Sequence, residues 1–396
     1  MCHLRRGCVR LTSDMASRPL RQRILEGDSG PCVTPLRGAL RLGEFAYSTA
    51  VSIRNRRYDT AGPRHTLPVP VISVGNLTVG GTGKTPFVME LVQRLEKMGY
   101  SPAVVSRGYK AVGGSPNDEE LVIRKNCPAA VCVSHPDRFR AGEIAVSRFG
   151  ADVIVLDDGF QHRRLARDLD IVLIDATCPF GHGHLLPRGL LREPVSSLSR
   201  AHVVVTTRYN QAAPAELERI GRRLREIAPD AVHLQCAHVV KAIETLDGKP
   251  FDGNTASSQG RPTGKSVPQP QSRSFALPTP SVAFTGKRVV LFAGIGRPRA
   301  FATTVGVLGA DVVGERWWPD HHHYRKRDID SLLEAGRFPD FDWLVTTEKD
   351  AMKLRVLGGV EHVPIAVVTI AIEFPGDSAA QLRHALDGVV RRRESG

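Results

Sequence analysis

A doubly wound α/β fold, followed by a second and smaller α/β domain, is predicted from three features of the sequence. Runs of Val, Ile and Leu at 69–74, 103–105, 153–156, 171–174 and 203–206 have the unbroken apolar character of strands buried on both faces. Segments of helical periodicity separate them, the clearest being Phe87, Leu91, Leu95 and Met98 ahead of Gly99. The same alternation resumes at 288–292, 312–313, 343–345 and 365–370.

Taken in chain order, residues 1–33 are basic and irregular and are read as a poorly ordered extension. The block 34–58 carries Leu36, Leu40, Ala46, Ala50 and Ile53 at near-helical spacing and ends in Arg54, Arg56 and Arg57. Two readings of it stand open: a helix packed on its own domain, and an amphipathic helix lying on an anionic membrane surface. Residues 59–252 form the first α/β domain. Residues 253–281 are rich in Ser, Pro, Gly and Gln and nearly free of branched apolar side chains, as in a linker or insert. Residues 282–396 form the second domain.

The segment VISVGNLTVGGTGKTPF, from Val71 to Phe87, joins a strand to a helix through glycines. Gly80, Gly81 and Gly83 let backbone N–H groups approach an anion closely, and Pro86 opens a helix whose positive end faces the same point. Lys84 would reach the β- and γ-phosphates of a nucleotide and the Thr85 hydroxyl would hold Mg²⁺, as in the P-loop pattern G-x-x-x-x-G-K-[ST], with Thr78 in place of the first glycine. Thr78, Val79, Gly80, Gly81, Thr82, Gly83, Lys84 and Thr85 are therefore the expected nucleotide-binding residues. The fold expected is a P-loop NTPase-like doubly wound sheet. A second metal-side element is VIVLDDGFQHRRL, where Asp157 and Asp158 emerge from the end of a buried strand. Paired acids repel unless a cation lies between them, which suits magnesium.

Composition narrows the partners. Lys and Arg number 54 against 41 acidic residues, a formal charge of +13, so an anionic partner is expected. Nucleic acid is not the expected one, because aromatics make up only 6% of the chain and no zinc-finger, RNP or helix-turn-helix pattern is present. Seven scattered cysteines without a C-x-x-C pair suit a reducing compartment. No run reaches the ~18 apolar residues of a membrane span, and no export signal is recognisable, so a cytoplasmic protein is expected. A nucleotide and magnesium do not by themselves name the acceptor: a kinase and an ATPase or GTPase switch that uses water both remain.

Together with SRGY (106–109), LLPRGLLREP (185–194), FAGIGRP (292–298), WPDHHHY (318–324) and TTEKDAMKL (346–354), these blocks resemble the tetraacyldisaccharide 4′-kinases of lipid A biosynthesis. The resemblance runs from about Pro35 into the C-terminal region, apart from 253–281. It implies an ATP- and Mg²⁺-dependent kinase that phosphorylates the 4′-hydroxyl of a tetraacylated glucosamine disaccharide 1-phosphate, the lipid A precursor, to form lipid IVA. It further implies a cytoplasmic enzyme peripheral on the inner face of the inner membrane. In NDEELVI the resemblance makes Asp118 the expected base and Glu119 its neighbour, with Asn117 and Glu120 where Gly and Pro are common. His321 is the histidine expected to assist that base, and Gln161 and His162 stand beside the acceptor. A carboxylate bonded to histidine can orient a sugar hydroxyl and take its proton. Arg188, Arg192 and Glu193, in a loop rich in Gly and Pro, are expected to line the acceptor site.

Overall fold

Unbroken apolar strands make the framework. In the computed structural model, residues 33–108, 117–251, 283–334 and 336–394 are described; the expected extension up to residue 32 and the expected insert at 253–281 lie outside them. The first half runs α1 (Val33–Ala61), β1 (Val71–Asn76), α2 (Lys84–Lys97), β2 (Pro102–Ser106), α3 (Asp118–Asn126), β3 (Val131–Ser134), α4 (Arg138–Phe149), β4 (Val153–Asp157), β5 (Leu169–Asp175), β6 (Val203–Thr207), α5 (Pro214–Ile227) and β7 (Val232–Thr245). After it come β8 (Arg288–Ala293), α6 (Pro298–Gly306), β9 (Asp311–Trp317), α7 (Lys326–Leu333), β10 (Trp343–Thr347), α8 (Glu348–Leu357), β11 (Ile365–Glu373) and α9 (Ser378–Glu394).

β1, β4, β5 and β6 are buried along their whole length, as continuous Val/Ile/Leu runs require when helices cover both faces. The described strands form one sheet in the order β3-β2-β4-β1-β5-β6-β7-β11-β10-β8-β9. Neighbours are parallel except β7 and β11, which run antiparallel from Ala237↔Glu373 to Thr245↔Ala366 with an irregularity at Thr369/Ile370. β7 is long enough to serve both halves. Its first residues pair with β6 (Val203↔Val232 to Thr207↔Cys236) and the remainder pairs with β11.

α2 drives Phe87, Val88, Leu91, Val92 and Leu95 into the core, each with no exposed surface. α9, the last helix, does not stay with the strands that precede it: Leu382, Leu386 and Val390 pack in the same cluster as the α2 residues and β1. The segment 282–396 thus contributes to the first half's core as well as forming the second.

α1 is longer than the expected 34–58 and turns a different face inward. Leu40, Tyr47, Val51, Asn55 and Tyr58 face the body, with Val51 5% exposed, whereas Ala46, Ala50 and Ile53 face outward. Polar residues on the packed side explain the difference. Glu44 Oε1 accepts from the Leu185 N–H at 2.9 Å, and Asn55 Nδ2 donates to Glu193 at 3.2 Å. Leu42 and Phe45 are left 76% and 74% exposed, beside Ile53 at 50%.

Truncating α9 tests its attachment. Leu386→Ala should destabilise the protein by about 2–4 kcal/mol in urea unfolding, with amide exchange accelerating in α2. Acceleration confined to β8–β11 would place the helix with the second half instead.

Candidate functional site

The loop after β1 is shaped by two left-handed glycines, Gly80 at φ 107° and Gly83 at φ 87°. Gly83 precedes α2 and offers no side-chain cap, so the first-turn N–H groups stay open to a ligand. The loop is held from several sides. Val79 N–H donates to the Leu190 carbonyl at 2.8 Å, Thr207 Oγ1 to the Thr82 carbonyl at 3.0 Å, and Arg208 Nη1 to the Gly81 carbonyl at 3.2 Å. Thr78 is buried beneath the loop, its carbonyl accepting from Asn76 Nδ2 at 2.7 Å, while Val79 to Thr85 line the cleft.

The second half roofs this loop. A Cβ on Gly296, in the turn between β8 and α6, would stand 2.6 Å from the Gly81 nitrogen, so only glycine lets the two backbones meet this closely. From below, the His238 ring on β7 lies where a Cβ on Gly83 would be. The space between the halves is a cleft of about 840 Å³.

Asp157 and Asp158 take opposite electrostatic roles at the end of β4. Asp157 is buried and its Oδ1 has no partner; burial first, and Glu119 next, push its carboxyl up to about 7. Asp158 is also opposed by burial, yet Lys84 at 3.4 Å and Arg192 at 2.7 Å hold it down to about 2. Lys84 Nζ donates in addition to Asn76 Oδ1 at 3.1 Å. Asp157, at the strand end in the cleft that Thr85 also lines and with a free buried oxygen, fits a divalent cation; Asp158 already has two cations of the protein.

Across the cleft, the second half delivers His321 to Asp118. The imidazole Nδ1 lies 3.1 Å from both carboxylate oxygens of Asp118, the first residue of α3. Lys353 Nζ stands 3.1 Å and Lys349 Nζ 3.7 Å from the same carboxylate. Burial opposes its ionisation, but the bond to His321 and the charges of Lys349 and Lys353 hold Asp118 well below the usual carboxylate range. Lys349 also reaches Glu119 at 3.2 Å and Asp320 at 3.4 Å. His322 turns away to Asp328 at 3.1 Å.

The remaining expected residues divide. Gln161 and His162 line the cleft, with Gln161 Nε2 bonded to the Asn76 carbonyl at 3.0 Å. Arg192 lines it on Asp158. Arg188 instead pairs with Glu44 of α1 at 3.1 Å, and Glu193 is wholly buried between Arg54 and Arg200, each at 2.7 Å. Neither lines the cleft; both tie α1 to the loop that carries Arg192. Arg54, grouped in the sequence with Arg56 and Arg57 at the end of the helix, is held by Glu193. Lys349, Lys353, Arg208, His238 and Gly296 went unassigned in the sequence, although the first two lie four apart on one helix face directly after a strand, which is a readable signal.

A phosphate loop at the end of β1, with its lysine against an aspartate from the next strand and an acid–histidine pair facing the same cleft, defines a P-loop protein of the phosphoryl-transfer class. The family model for the tetraacyldisaccharide-1-P 4′-kinases, LpxK, matches residues 36–391, and the chain belongs to that family. Among its relatives, the tetraacyldisaccharide 4′-kinase of Syntrophus aciditrophicus is 37% identical over 385 residues, covering 89% of this chain and 94% of that one. The protein of the same name from Anaeromyxobacter dehalogenans strain 2CP-C is 35% identical over 342 residues, covering 82% and 83%. The crystal structure of "apo" form LpxK from Aquifex aeolicus in complex with ATP superposes with a TM-score of 0.62 at 26% identity, covering 90% of this chain and 99% of that one.

The seating of the loop on His238 is open to test. Gly83→Ala should weaken ATP binding by tenfold or more, roughly the effect of 1–3 kcal/mol of backbone strain with the collision added. Adding His238→Ala should recover part of it, since the collision goes and the strain stays. Equal ATP affinity in wild type and Gly83→Ala, by calorimetric titration, would show that the loop tolerates a Cβ.

Proposed function

We propose that this chain transfers the γ-phosphate of ATP to the 4′-hydroxyl of a tetraacylated glucosamine disaccharide 1-phosphate, working at the surface of a membrane. The observation that carries this reading is the Asp118–His321 pair, contributed by opposite halves, with His321 lining the cleft that the phosphate loop also lines. With the carboxylate ionised, His321 Nδ1 carries the proton and donates it to Asp118, which leaves Nε2 as the atom able to accept a proton from a sugar hydroxyl. The pair acts as base in this reading, with Asp118 orienting the ring and stabilising the imidazolium that forms.

Residues Gly80 to Thr85 cradle the triphosphate through backbone N–H groups, and Lys84 meets its terminal oxygens, exchanging Asp158 for phosphate. Thr85 and Asp157 are the residues that would hold Mg²⁺, supported by the unpartnered buried oxygen of Asp157. When bound, the ion neutralises charge on the β- and γ-phosphate oxygens. In this reading Gln161, His162 and Arg192, which line the cleft, face the acceptor, and Lys349 holds Glu119 in the same cleft.

The acceptor's acyl chains remain in a bilayer, because each buried methylene is worth about 0.8 kcal/mol. The protein must therefore come to the surface. Among the described residues no helix is long and apolar enough to cross a membrane. The outward stripe of Leu42, Phe45 and Ile53 on α1, bordered by exposed Arg56 and Arg57, is suited to lie on anionic lipid. Since ATP is the phosphate donor, this is the cytoplasmic face of the inner membrane.

Phosphate transfer tests the reading directly. Purified protein given [γ-³²P]ATP and tetraacyldisaccharide 1-phosphate in mixed micelles should label the lipid, and Asp118→Asn should lower kcat by about 10²–10⁴ with the KM for ATP unchanged. Release of free phosphate at the same rate with and without lipid would identify water as the acceptor.

Membrane contact has its own readout. Leu42→Ser/Phe45→Ser and Arg56→Gln/Arg57→Gln should each reduce sedimentation with anionic vesicles and raise the KM for lipid, the second pair more strongly at low salt because a charge attraction of about 1 kcal/mol per arginine is screened. Unchanged sedimentation in both pairs would remove α1 from the membrane contact.

A further inference from the structure

Behind the Asp118–His321 pair lies a carboxylate to which the chemistry above gives no part. Asp350 stands in the first turn of α8 and has no exposed surface. A carboxylate at that position ordinarily caps its helix from the surface, where the helix dipole favours it and water solvates it. This one is enclosed, and an enclosed ion pair adds little stability over well-packed apolar side chains. Its two oxygens have separate partners. Oδ1 faces Lys353 Nζ at 3.3 Å, one helical turn further along α8. Oδ2 accepts from Thr347 Oγ1 at 2.7 Å and from the Gly294 N–H, just past β8, at 3.2 Å.

Each oxygen leads to one member of the pair. Lys353 is the nearer of the two lysines to Asp118, at 3.1 Å against 3.7 Å for Lys349, and the Tyr324 ring lies 5.9 Å from its Nζ. The Gly294 carbonyl accepts the His321 N–H at 3.1 Å. The turn that carries His321 is pressed onto that glycine: a Cβ on Gly294 would stand 2.9 Å from His322 Cβ and 3.2 Å from the Pro319 carbonyl oxygen. His321 has a left-handed backbone, φ 63°, which a residue with a side chain keeps only where its surroundings fix it. Its bond to Gly294 is one such restraint.

We propose that Asp350 and Lys353 are positioning residues for the base: Asp350 holds Lys353 against Asp118 and, through the Gly294 peptide, holds the turn that delivers His321. This rests on the kinase reading above and adds to it what keeps a base assembled from two halves in register. His321 and Lys353 both come from the second half, so one buried carboxylate fixes, as a unit, the parts that meet Asp118. The other charges around the pair have partners of their own. Lys349 is shared among Asp118, Glu119 and Asp320, Asp320 stands 3.8 Å from His321 Nε2, and Glu348 is taken by Lys125 at 2.9 Å. A cation beside the pair disfavours its protonated form, and an anion behind that cation favours it, so losing Lys353 and losing Asp350 act on proton uptake with opposite signs.

Variants of the two residues test it in the lipid-labelling assay, with kcat, both KM values and the pH profile of kcat measured. Asp350→Asn keeps the shape of the side chain but loses its charge toward Lys353. It should lower kcat by about tenfold to a hundredfold, the effect of a base slightly out of place, with the KM values for ATP and lipid unchanged. Lys353→Met should lower kcat likewise and move the acid limb of the profile up by about one pH unit. Lys353→Arg should leave the limb in place, and Asp350→Asn should not move it up. The double variant Asp350→Asn/Lys353→Met should lose less than the product of the two single losses, because Asp350 acts in part through Lys353. Wild-type kcat in folded Asp350→Asn, with only a lowered Tm, would overturn the role and leave Asp350 as a helix cap. Single losses that simply multiply, or an unmoved limb in Lys353→Met, would also overturn it, and the second of these decides the matter even if Asp350→Asn fails to fold. Wild-type protein that labels no lipid would overturn the kinase reading and this role with it, whereas lipid labelling with unaltered variants would overturn the role alone.

Discussion

The antiparallel pairing of β7 with β11 is the contact on which the rest of the molecule depends. Two parallel sheets, each with helices on its faces, would ordinarily make two separate domains joined by a hinge. Here β7 runs past β6 and continues into the second half, so eight register pairs from His238 and Ala237 through Thr245 fasten the halves edge to edge. That pairing puts the turn with Gly296 above the phosphate loop and the start of α8 above α3. It also fixes His238, the residue of β7 at the crossover, directly under Gly83. The loop is therefore shaped from beneath by the strand that joins the halves and from above by the half that it joins.

Charge distribution in the cleft follows from that arrangement. Asp157 and Asp158 are adjacent in sequence, yet one is pushed up to about 7 by burial and Glu119, and the other held down to about 2 by Lys84 and Arg192 against the effect of burial. Asp158 leaves the strand with a left-handed backbone, φ 54°, which carries its side chain to the loop lysine instead of into the sheet edge. Asp118 is a third case. Its carboxylate is buried but meets a histidine and two lysines from the other half, which offset the cost of burying its charge. Separation of the halves would dismantle the Asp118–His321 pair and unroof the phosphate loop in one movement, which in the proposed reaction links proton acceptance to closure over the nucleotide.

The parts of this site that were legible in the sequence are those whose physics is local. A buried strand, three glycines, a lysine and the start of a helix lie within one run of residues, and an acidic pair closing another apolar strand is equally self-contained. Asp118 and His321 became visible only through resemblance, because they lie 203 positions apart and no local pattern joins one to the other. The face of α1 was misjudged for a related reason: its packed side contains Glu44 and Asn55, whose partners are the Leu185 N–H and Glu193 far along the chain, so apolar periodicity pointed elsewhere. β7 mixes buried and half-buried positions along its length since it edges two different packing environments, and it lacks the unbroken apolar signature of its neighbours.

Glu193 gives α1 a second part to play beside its exposed stripe. A wholly buried carboxylate is stable here because Arg54, Arg200 and Asn55 all bond to it, two of them from α1. The next residue back is Arg192, whose carbonyl accepts from Tyr47 Oη at 3.0 Å and whose guanidinium holds Asp158. The helix that presents Leu42 and Phe45 outward is thus joined through two consecutive residues to the aspartate that pairs with the loop lysine. A shift of α1 cannot leave Arg192 in place without breaking the bonds of a buried charge, and one partner lost from such a group typically costs about 3–5 kcal/mol. The outward stripe of α1 and the register of Asp158 against the phosphate loop are consequently set by the same connection.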